Sequence, residues 1–129
     1  IIASGGMSVD ELYAMFPNLS ERRNSPGGKL SGGEQQMLAM ARILRTGAKL
    51  LLLDEITEGL APVIVKKLGE VITELKKRGF TIILVEQNFR FAAPLADRHY
   101  VLEHGEIIAT ITQDELPGKM DWLHHRLGV

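Results

Sequence analysis

The sequence predicts an α/β protein built on a parallel sheet, and three patterns support that prediction. Two apolar runs with strand character, Lys49–Asp54 and Phe80–Val85, flank a long amphipathic helical pattern over Pro62–Arg78. Strands that alternate with helices are typical of parallel sheets, because the helix carries the chain back to the edge where the next strand starts. Near the end of the chain, Arg98–Leu102 and Ile107–Ile111 predict a small antiparallel pair.

Composition limits the classes of function. The 129 residues can bury a real core, and 45% apolar with 24% charged residues is ordinary for a globular protein. A formal net charge of −1 gives no electrostatic basis for nucleic-acid binding, and the absence of cysteine excludes disulfides and thiolate-bound metals. No apolar run approaches the roughly 20 residues of a membrane-spanning helix. Because the chain starts at Ile1 rather than Met, we expect the natural start to lie upstream.

The N-terminal part predicts one short helix. Residues 1–6 show no regular pattern. Ser8 and Glu11 have the spacing of a capping box, in which each side chain bonds the backbone N–H of the other residue. The sequence therefore predicts a helix over Ser8–Phe16, ended by Pro17.

A basic turn and a loop follow this helix. Arg22 and Arg23 are interpreted as a solvated basic turn, with contact to a phosphate as the less favoured alternative. Residues 24–28, Asn-Ser-Pro-Gly-Gly, have the composition of a loop.

The stretch Leu30–Gln36, Leu-Ser-Gly-Gly-Glu-Gln-Gln, has the strongest functional pattern in the chain. Ser31 and Glu34 predict a second capping box at the start of a longer helix. A helix N-terminus presents free backbone N–H groups and the positive end of a dipole, which suit an anion. Gly32 and Gly33 carry no Cβ, so a phosphate could approach the backbone closely. This helix is predicted to end at Thr46-Gly47 and to bury one stripe of residues: Met37, Met40, Ala41 and Leu44.

Two adjacent carboxylates, Asp54 and Glu55, follow the apolar run Lys49–Asp54, which predicts a strand buried on both faces. If the strand continues, the two side chains point in opposite directions and do different work. Asp54 is placed to hold a hydrated Mg²⁺, and Glu55 to orient or deprotonate an attacking water. The alternative is a helix-capping or surface acidic pair after a core strand.

The C-terminal third predicts short elements. A helix over Asn88–Ala96 is interrupted near Pro94, and Glu103–Glu106 forms the hairpin turn. A short turn or helix is predicted over Gln113–Leu116 and a terminal helix over Met120–Arg126.

These motifs together resemble those of the ATP-binding cassette (ABC) ATPases, and the resemblance covers nearly the whole chain. Leu30–Gln36 resembles the signature motif of that family, and Asp54–Pro62 resembles the end of its Walker B strand and its D-loop. Within the superfamily, Glu58–Pro62 and Val85–Asn88 most resemble the ATPase subunits of branched-chain amino acid importers. Two later segments also match the family: Leu95–Arg98 and Val101–Gly105.

Two positions depart from the family pattern. Ile56 stands where the family usually has proline, which could loosen the turn that aims Glu55. Gln87 stands where most members have a histidine in the switch region, and glutamine can donate a hydrogen bond to a phosphate but cannot titrate. The amino acid importer branch often has glutamine there.

The resemblance implies a fold, a domain division and a set of site residues. The fold is a partial P-loop NTPase core: residues 1–48 would be a remnant of the helical subdomain with the signature helix, 49–111 the C-terminal half of the ATPase core, and 112–129 a helical tail. Catalytic roles fall to Glu55 and Gln87, and Asp54 would hold Mg²⁺ through water. The signature residues that would contact nucleotide held by a partner are Leu30, Ser31, Gly32, Gly33, Glu34 and Gln35. The D-loop residues are Thr57, Glu58, Gly59 and Leu60.

The resemblance also implies cofactors and partners. ATP and Mg²⁺ would bind between two ATPase subunits in a head-to-tail dimer, attached through permease subunits to the cytoplasmic face of the membrane. The intact protein would hydrolyse ATP and couple it to import. The 129 residues contain no Gly-x-x-x-x-Gly-Lys-Ser/Thr phosphate loop, so we expect the isolated chain to be inactive and its sheet to have unpaired edges.

Two alternatives remain open. The chain could be a non-catalytic module that lends its signature face to a complete ATPase, although the start at Ile1 favours truncation. It could also be the head of a DNA-repair or chromosome-structure ATPase, but no sustained heptads and no basic charge support that alternative.

Overall fold

Helices and strands alternate along residues 5–128, the part of the chain that the computed structural model describes. The α/β prediction is confirmed, and the prediction for residues 1–4 lies outside the described residues, as does residue 129. The elements are α1 (Val9–Met15), α2 (Pro17–Glu21), a 3-10 turn (Gly27–Lys29), α3 (Gly32–Arg45), β1 (Leu50–Asp54), α4 (Pro62–Lys77), β2 (Thr81–Val85), α5 (Phe89–Ala92), β3 (Arg98–Glu103), β4 (Glu106–Thr112) and α6 (Leu116–Leu127).

The chain divides into two compact units, one ending at Val85 and the other starting at Glu86. The division into residues 1–48, 49–111 and 112–129 stays a prediction. Among the described residues, no helix is both long enough and apolar enough to cross a membrane.

A two-stranded parallel sheet organises the first unit. Strand β1 pairs with β2 from Leu50 opposite Thr81 to Asp54 opposite Val85. The connection between them is α4, which begins at Pro62. Proline fits the first turn of a helix because its missing N–H has no partner there. The carboxyl ends of both strands therefore meet at one edge, and Asp54 lies at that edge.

One face of this sheet is exposed, which contradicts the prediction of strands buried on both faces. Leu51 and Leu53 of β1 are buried, but Leu50 is 53% and Leu52 67% exposed. Strand β2 continues the exposed face with Ile83 and Val85, each 53% exposed. A run of four leucines has no period of two, so the sequence could not show that only one side is covered.

The start of the first unit confirms one predicted helix and corrects its end. Ser8 caps α1, and both hydrogen bonds of the capping box with Glu11 are present. Phe16, fully buried, forms the C-cap of α1, and Pro17 then begins a second helix, α2, that the sequence analysis left out. Proline breaks a helix that precedes it and favours one that follows, so Pro17 does both.

The second unit is an antiparallel hairpin packed against α6. His104 and Gly105 form the two-residue turn with φ of 51° and 80°, the left-handed geometry that suits a tight hairpin. Helix α6 begins at Leu116, four residues before the predicted start, and has proline in its first turn. Helix α5 ends at Ala92, before Pro94. The buried cluster of this unit consists of Phe89, Val101, Ile111, Leu116 and Leu123.

Candidate functional site

The N-terminus of α3 is closed by a complete capping box. The backbone N–H of Ser31 donates to Oε2 of Glu34 at 2.8 Å, and the N–H of Glu34 donates to the Ser31 hydroxyl oxygen at 3.3 Å. Both donors are among those that a helix start leaves without an intrahelical partner. The turn is therefore held from both ends, and the predicted cap is confirmed.

Two further side chains support the same turn. The Gln35 side-chain amide donates to the carbonyl of Leu30 at 3.0 Å, and Leu30 itself is buried. Arg22 donates from Nε to Oε1 of Glu34 at 3.3 Å. Although Arg22 was predicted to be a solvated residue and is 59% exposed, it also forms this ion pair.

The electrostatics of Glu34 follow from these contacts. The backbone N–H of Ser31 lowers the pKa of the Glu34 carboxyl below its ordinary value, and the Ser31 hydroxyl and the Arg22 guanidinium lower it further. Partial desolvation opposes them and is outweighed. Glu34 is therefore a stable anion at neutral pH, as a capping acceptor must be.

The two glycines of the first turn of α3 have different surroundings. Gly32 is exposed, and a Cβ placed on it would lie 3.5 Å from Cδ2 of Leu60, an ordinary contact. Gly33 is buried, and a Cβ there would lie 2.6 Å from Cγ2 of Ile64. Gly32 therefore leaves its backbone open to a ligand, whereas Gly33 lets α3 approach α4.

Asp54 and Glu55 lie at the carboxyl edge of the β1–β2 pair. Asp54 is the last residue of β1 and is exposed. Glu55 is half-buried and has a φ of 50°, a left-handed conformation that is uncommon outside glycine. Its N–H donates to the carbonyl of Val85 at 2.8 Å, which holds this conformation. Because the strand ends at Asp54, the expected alternation of side-chain direction between Asp54 and Glu55 does not apply. The direction of the Glu55 side chain follows instead from its own left-handed backbone conformation.

The turn after Glu55 begins with two residues whose side chains are buried in the first unit. Ile56 and Thr57 are both buried, each 6% exposed. The N–H of Leu60 donates to the carbonyl of Thr57 at 3.2 Å, and Gly59 has a φ of 70°. An isoleucine in place of proline therefore attaches this turn to the core through its side chain.

An open pocket of about 190 Å³ lies beside β1 in the same unit. Its wall is mostly apolar, with Met40 of α3, Leu53 of β1 and Leu68 of α4. Gln36 and Asp54 contribute its polar groups. The pocket therefore places Asp54 beside the middle of α3, between Gln36 and Ile43.

The remaining predicted site residue, Gln87, belongs to the second unit. It is exposed and comes directly before Asn88, whose side chain caps α5 by accepting from the N–H of Phe91 at 3.2 Å. Glu58 of the turn after Glu55 is also exposed. Within residues 5–128, no three histidine, aspartate or glutamate side chains are grouped as metal ligands would be.

Two residues of this site were not predicted from the sequence. Arg22 contacts Glu34 from twelve positions earlier in the chain, and no periodic pattern connects them. Ile64 was assigned only to the apolar face of α4, and its contact with Gly33 depends on how two helices pack. Neither contact has a local sequence signal.

Comparison with known proteins gives the family. The sequence pattern of the ABC transporter family matches residues 8–58. The chain is 50% identical over 102 residues to the high-affinity branched-chain amino acid transport ATP-binding protein BraG of Pseudomonas aeruginosa, covering 79% of this chain and 44% of BraG. It is 41% identical over 113 residues to the probable branched-chain amino acid transport ATP-binding protein LivF of Archaeoglobus fulgidus, covering 84% and 46%.

A solved structure agrees with the sequence relatives. The ADP conformation of an ATP-binding cassette from an ABC transporter superposes with a TM-score of 0.76 at 27% identity, covering 86% of this chain and 44% of that one. The chain therefore spans less than half the length of the relatives that it matches. On these motifs, relatives and coordinates, the chain belongs to the ABC transporter family of ATP-binding proteins.

Proposed function

We propose that this chain is part of the ATP-binding subunit of an importer for branched-chain amino acids. The observation that carries the proposal is the capped start of α3, with Gly32 exposed, next to the turn that follows Asp54 and Glu55. BraG and LivF, both named as branched-chain amino acid transport ATP-binding proteins, support the choice of solute. The subunit would lie on the cytoplasmic face of the membrane, attached to permease subunits.

In this proposal, the first turn of α3 binds the terminal phosphate of an ATP molecule held by a second ATPase subunit. The capping box uses the N–H groups of Ser31 and Glu34 and leaves those of Gly32 and Gly33 for a ligand, and an exposed Gly32 leaves room for phosphate oxygens. Ser31, Glu34 and Gln35 hold the turn in shape, as their hydrogen bonds show. The turn with Thr57, Glu58, Gly59 and Leu60 would contact the same partner subunit.

Hydrolysis in the complete protein would use the carboxylate edge of the sheet. Glu55 would orient and deprotonate the attacking water, and Gln87 would donate a hydrogen bond to the γ-phosphate. Asp54 is exposed at the strand end and fits a hydrated Mg²⁺, which needs only one or two carboxylates beside phosphate and water oxygens. That ion would neutralise charge on the phosphate oxygens.

The central test is Glu55→Gln in the complete ATP-binding subunit that contains this chain. We expect hydrolysis to fall by about 10²- to 10⁴-fold, because an amide cannot accept the proton of water. ATP-bound dimers should remain stable, since the amide removes a charge and keeps the shape. Glu70→Gln, an exposed carboxylate on α4, is the matched control and should hydrolyse ATP normally. Retained hydrolysis in Glu55→Gln would exclude Glu55 as the base.

A second test concerns the chain by itself. Since its 129 residues contain no phosphate loop, we propose that it neither binds ATP tightly nor hydrolyses it. Calorimetric titration with Mg-ATP should show no binding in the micromolar range, and tight binding would contradict the proposal. If the complete subunit also failed to hydrolyse ATP, a non-catalytic partner role would be favoured instead.

A further inference from the structure

The Glu34 carboxylate divides its two oxygens between two partners in different parts of the chain. Oε2 accepts from the N–H of Ser31 at 2.8 Å, and Oε1 accepts from Nε of Arg22 at 3.3 Å. Its side chain is only 14% exposed. With both oxygens engaged, rotation of the carboxylate away from the cap requires the loss of two hydrogen bonds, both of them charge-assisted because the acceptor is an ionised carboxylate.

Arg22 has a fixed backbone from which to make this contact. It forms the C-cap of α2, and its N–H donates to the carbonyls of Asn18 and Leu19 at 3.2 and 3.1 Å. The guanidinium therefore joins the end of α2 to the start of α3. Arg23, the next residue, is exposed and makes no ion pair among the described side chains, so the contact depends on position and not on local charge alone.

The start of α3 has a particular need for such support. Its first two residues are Gly32 and Gly33, and each glycine inside a helix is less favourable than alanine by about 1 kcal/mol. A first turn made of two glycines is prone to fray. Arg22, the second partner of the Glu34 carboxylate, opposes that tendency without adding a side chain where a ligand would bind.

We propose that Arg22 is a positioning residue, which holds Glu34 in its capping orientation and so keeps the first-turn N–H groups of α3 aligned for a phosphate. This role rests on the function proposed above. Arg22 contacts neither substrate nor reacting atoms; it acts through Glu34 and Ser31. The helix start of an ATP-binding subunit would thus be set in part by a residue outside the Leu30–Gln36 stretch.

The test compares Arg22→Gln with Arg23→Gln, and with Arg22→Lys as the conservative variant. On the 129-residue chain, NMR titration should show a higher Glu34 pKa in Arg22→Gln and an unchanged Glu11 pKa. Amide exchange at Gly33 and Glu34 should become faster. Arg23→Gln should change none of these values, and Arg22→Lys should give intermediate ones, because lysine keeps the charge but not the planar donor.

In the complete subunit, Arg22→Gln should lower kcat for ATP hydrolysis by about two- to fivefold, as expected for an exposed ion pair, with little change in KM. Equal effects of Arg22→Gln and Arg23→Gln, or an unchanged Glu34 pKa in Arg22→Gln, would overturn the proposal. If the wild-type subunit did not hydrolyse ATP, the proposed function would fail, while the pKa and amide exchange would still decide whether Arg22 positions Glu34.

Discussion

The two capping boxes of the first unit have nearly the same local geometry and very different surroundings. At Ser8 and Glu11 the two hydrogen bonds measure 2.7 and 3.1 Å, and at Ser31 and Glu34 they measure 2.8 and 3.3 Å. The first box starts a helix of 7 residues and the second a helix of 14. Of the two capping glutamates, Glu34 has an arginine at ion-pair distance, whereas Glu11 has none among the described residues.

The first turns differ most. Val9 and Asp10 follow the first cap, and both are exposed, whereas Gly32 and Gly33 follow the second. Gly33 lies against Ile64 and Gly32 stays open. A capping box therefore fixes where a helix starts, but the residues inside its first turn decide whether that start packs, binds or is merely solvated.

The largest difference in stability between the two helix starts should appear when the second residue after each cap, Gly33 or Asp10, is replaced by alanine. A Cβ on Gly33 would lie 2.6 Å from Ile64, a β-branched side chain whose Cγ2 cannot move freely. We expect Gly33→Ala to lower the free energy of unfolding by about 1–2 kcal/mol, the overpacking cost exceeding the gain in helix propensity. Asp10→Ala should cost about 0.3–0.5 kcal/mol through the helix dipole. Urea unfolding measures both.

Two further variants show whether Ile64 is the cause. Gly32→Ala should not destabilise the protein, because its Cβ would meet only Leu60, at 3.5 Å. In the double variant Gly33→Ala/Ile64→Ala, the loss should be smaller than the sum of the single losses by at least about 1 kcal/mol. Additive losses would show that the contact between Gly33 and Ile64 does not restrict the residue at position 33.

The next largest difference should be in ATP hydrolysis, when the serine of each capping box is replaced by alanine. Ser8→Ala and Ser31→Ala should each lower the free energy of unfolding by about 1 kcal/mol, since each removes one cap acceptor. In the complete subunit, we expect only Ser31→Ala to reduce ATP hydrolysis, because only that helix start is proposed to bind phosphate. Thermal unfolding and ATPase rates measured on the same preparations test this. A similar loss of hydrolysis in Ser8→Ala would mean that the effect comes from stability alone.

The smallest effect concerns pH. The backbone N–H of Ser8 lowers the pKa of Glu11, and that of Ser31 lowers the pKa of Glu34, from ordinary values of 4.5. A lowered pKa in the folded state gives stability that is complete above the ordinary value and is lost as pH falls through the folded value. Thermal unfolding from about pH 6 to about pH 3 should therefore show falling stability, with a shallower slope in Glu11→Gln and in Glu34→Gln. An unchanged slope in both variants would contradict these assignments.

Local signals predicted much of the molecule. Both capping boxes, the buried stripe of α3, the amphipathic α4 and the hairpin were visible because each depends on spacing within a few residues. The second helix at Pro17 and the early start of α6 were missed, since proline can end one helix and begin another. The exposure of Leu50 and Leu52 was missed because an unbroken apolar run does not show which face is covered.

By itself, the sequence determined where most of the helices and strands lie, the two capping boxes, and that Asp54 and Glu55 follow a strand. Capping and periodicity act over three or four residues, so they can be recognised in a linear chain. Only the tertiary structure decided that Arg22 holds Glu34, that Ile64 occupies the space a side chain at Gly33 would need, and that Glu55 has a left-handed backbone. Those features depend on contacts between segments that are distant in sequence or on strand pairing. Such contacts cannot be recognised from either segment alone, because each depends on the residues of both.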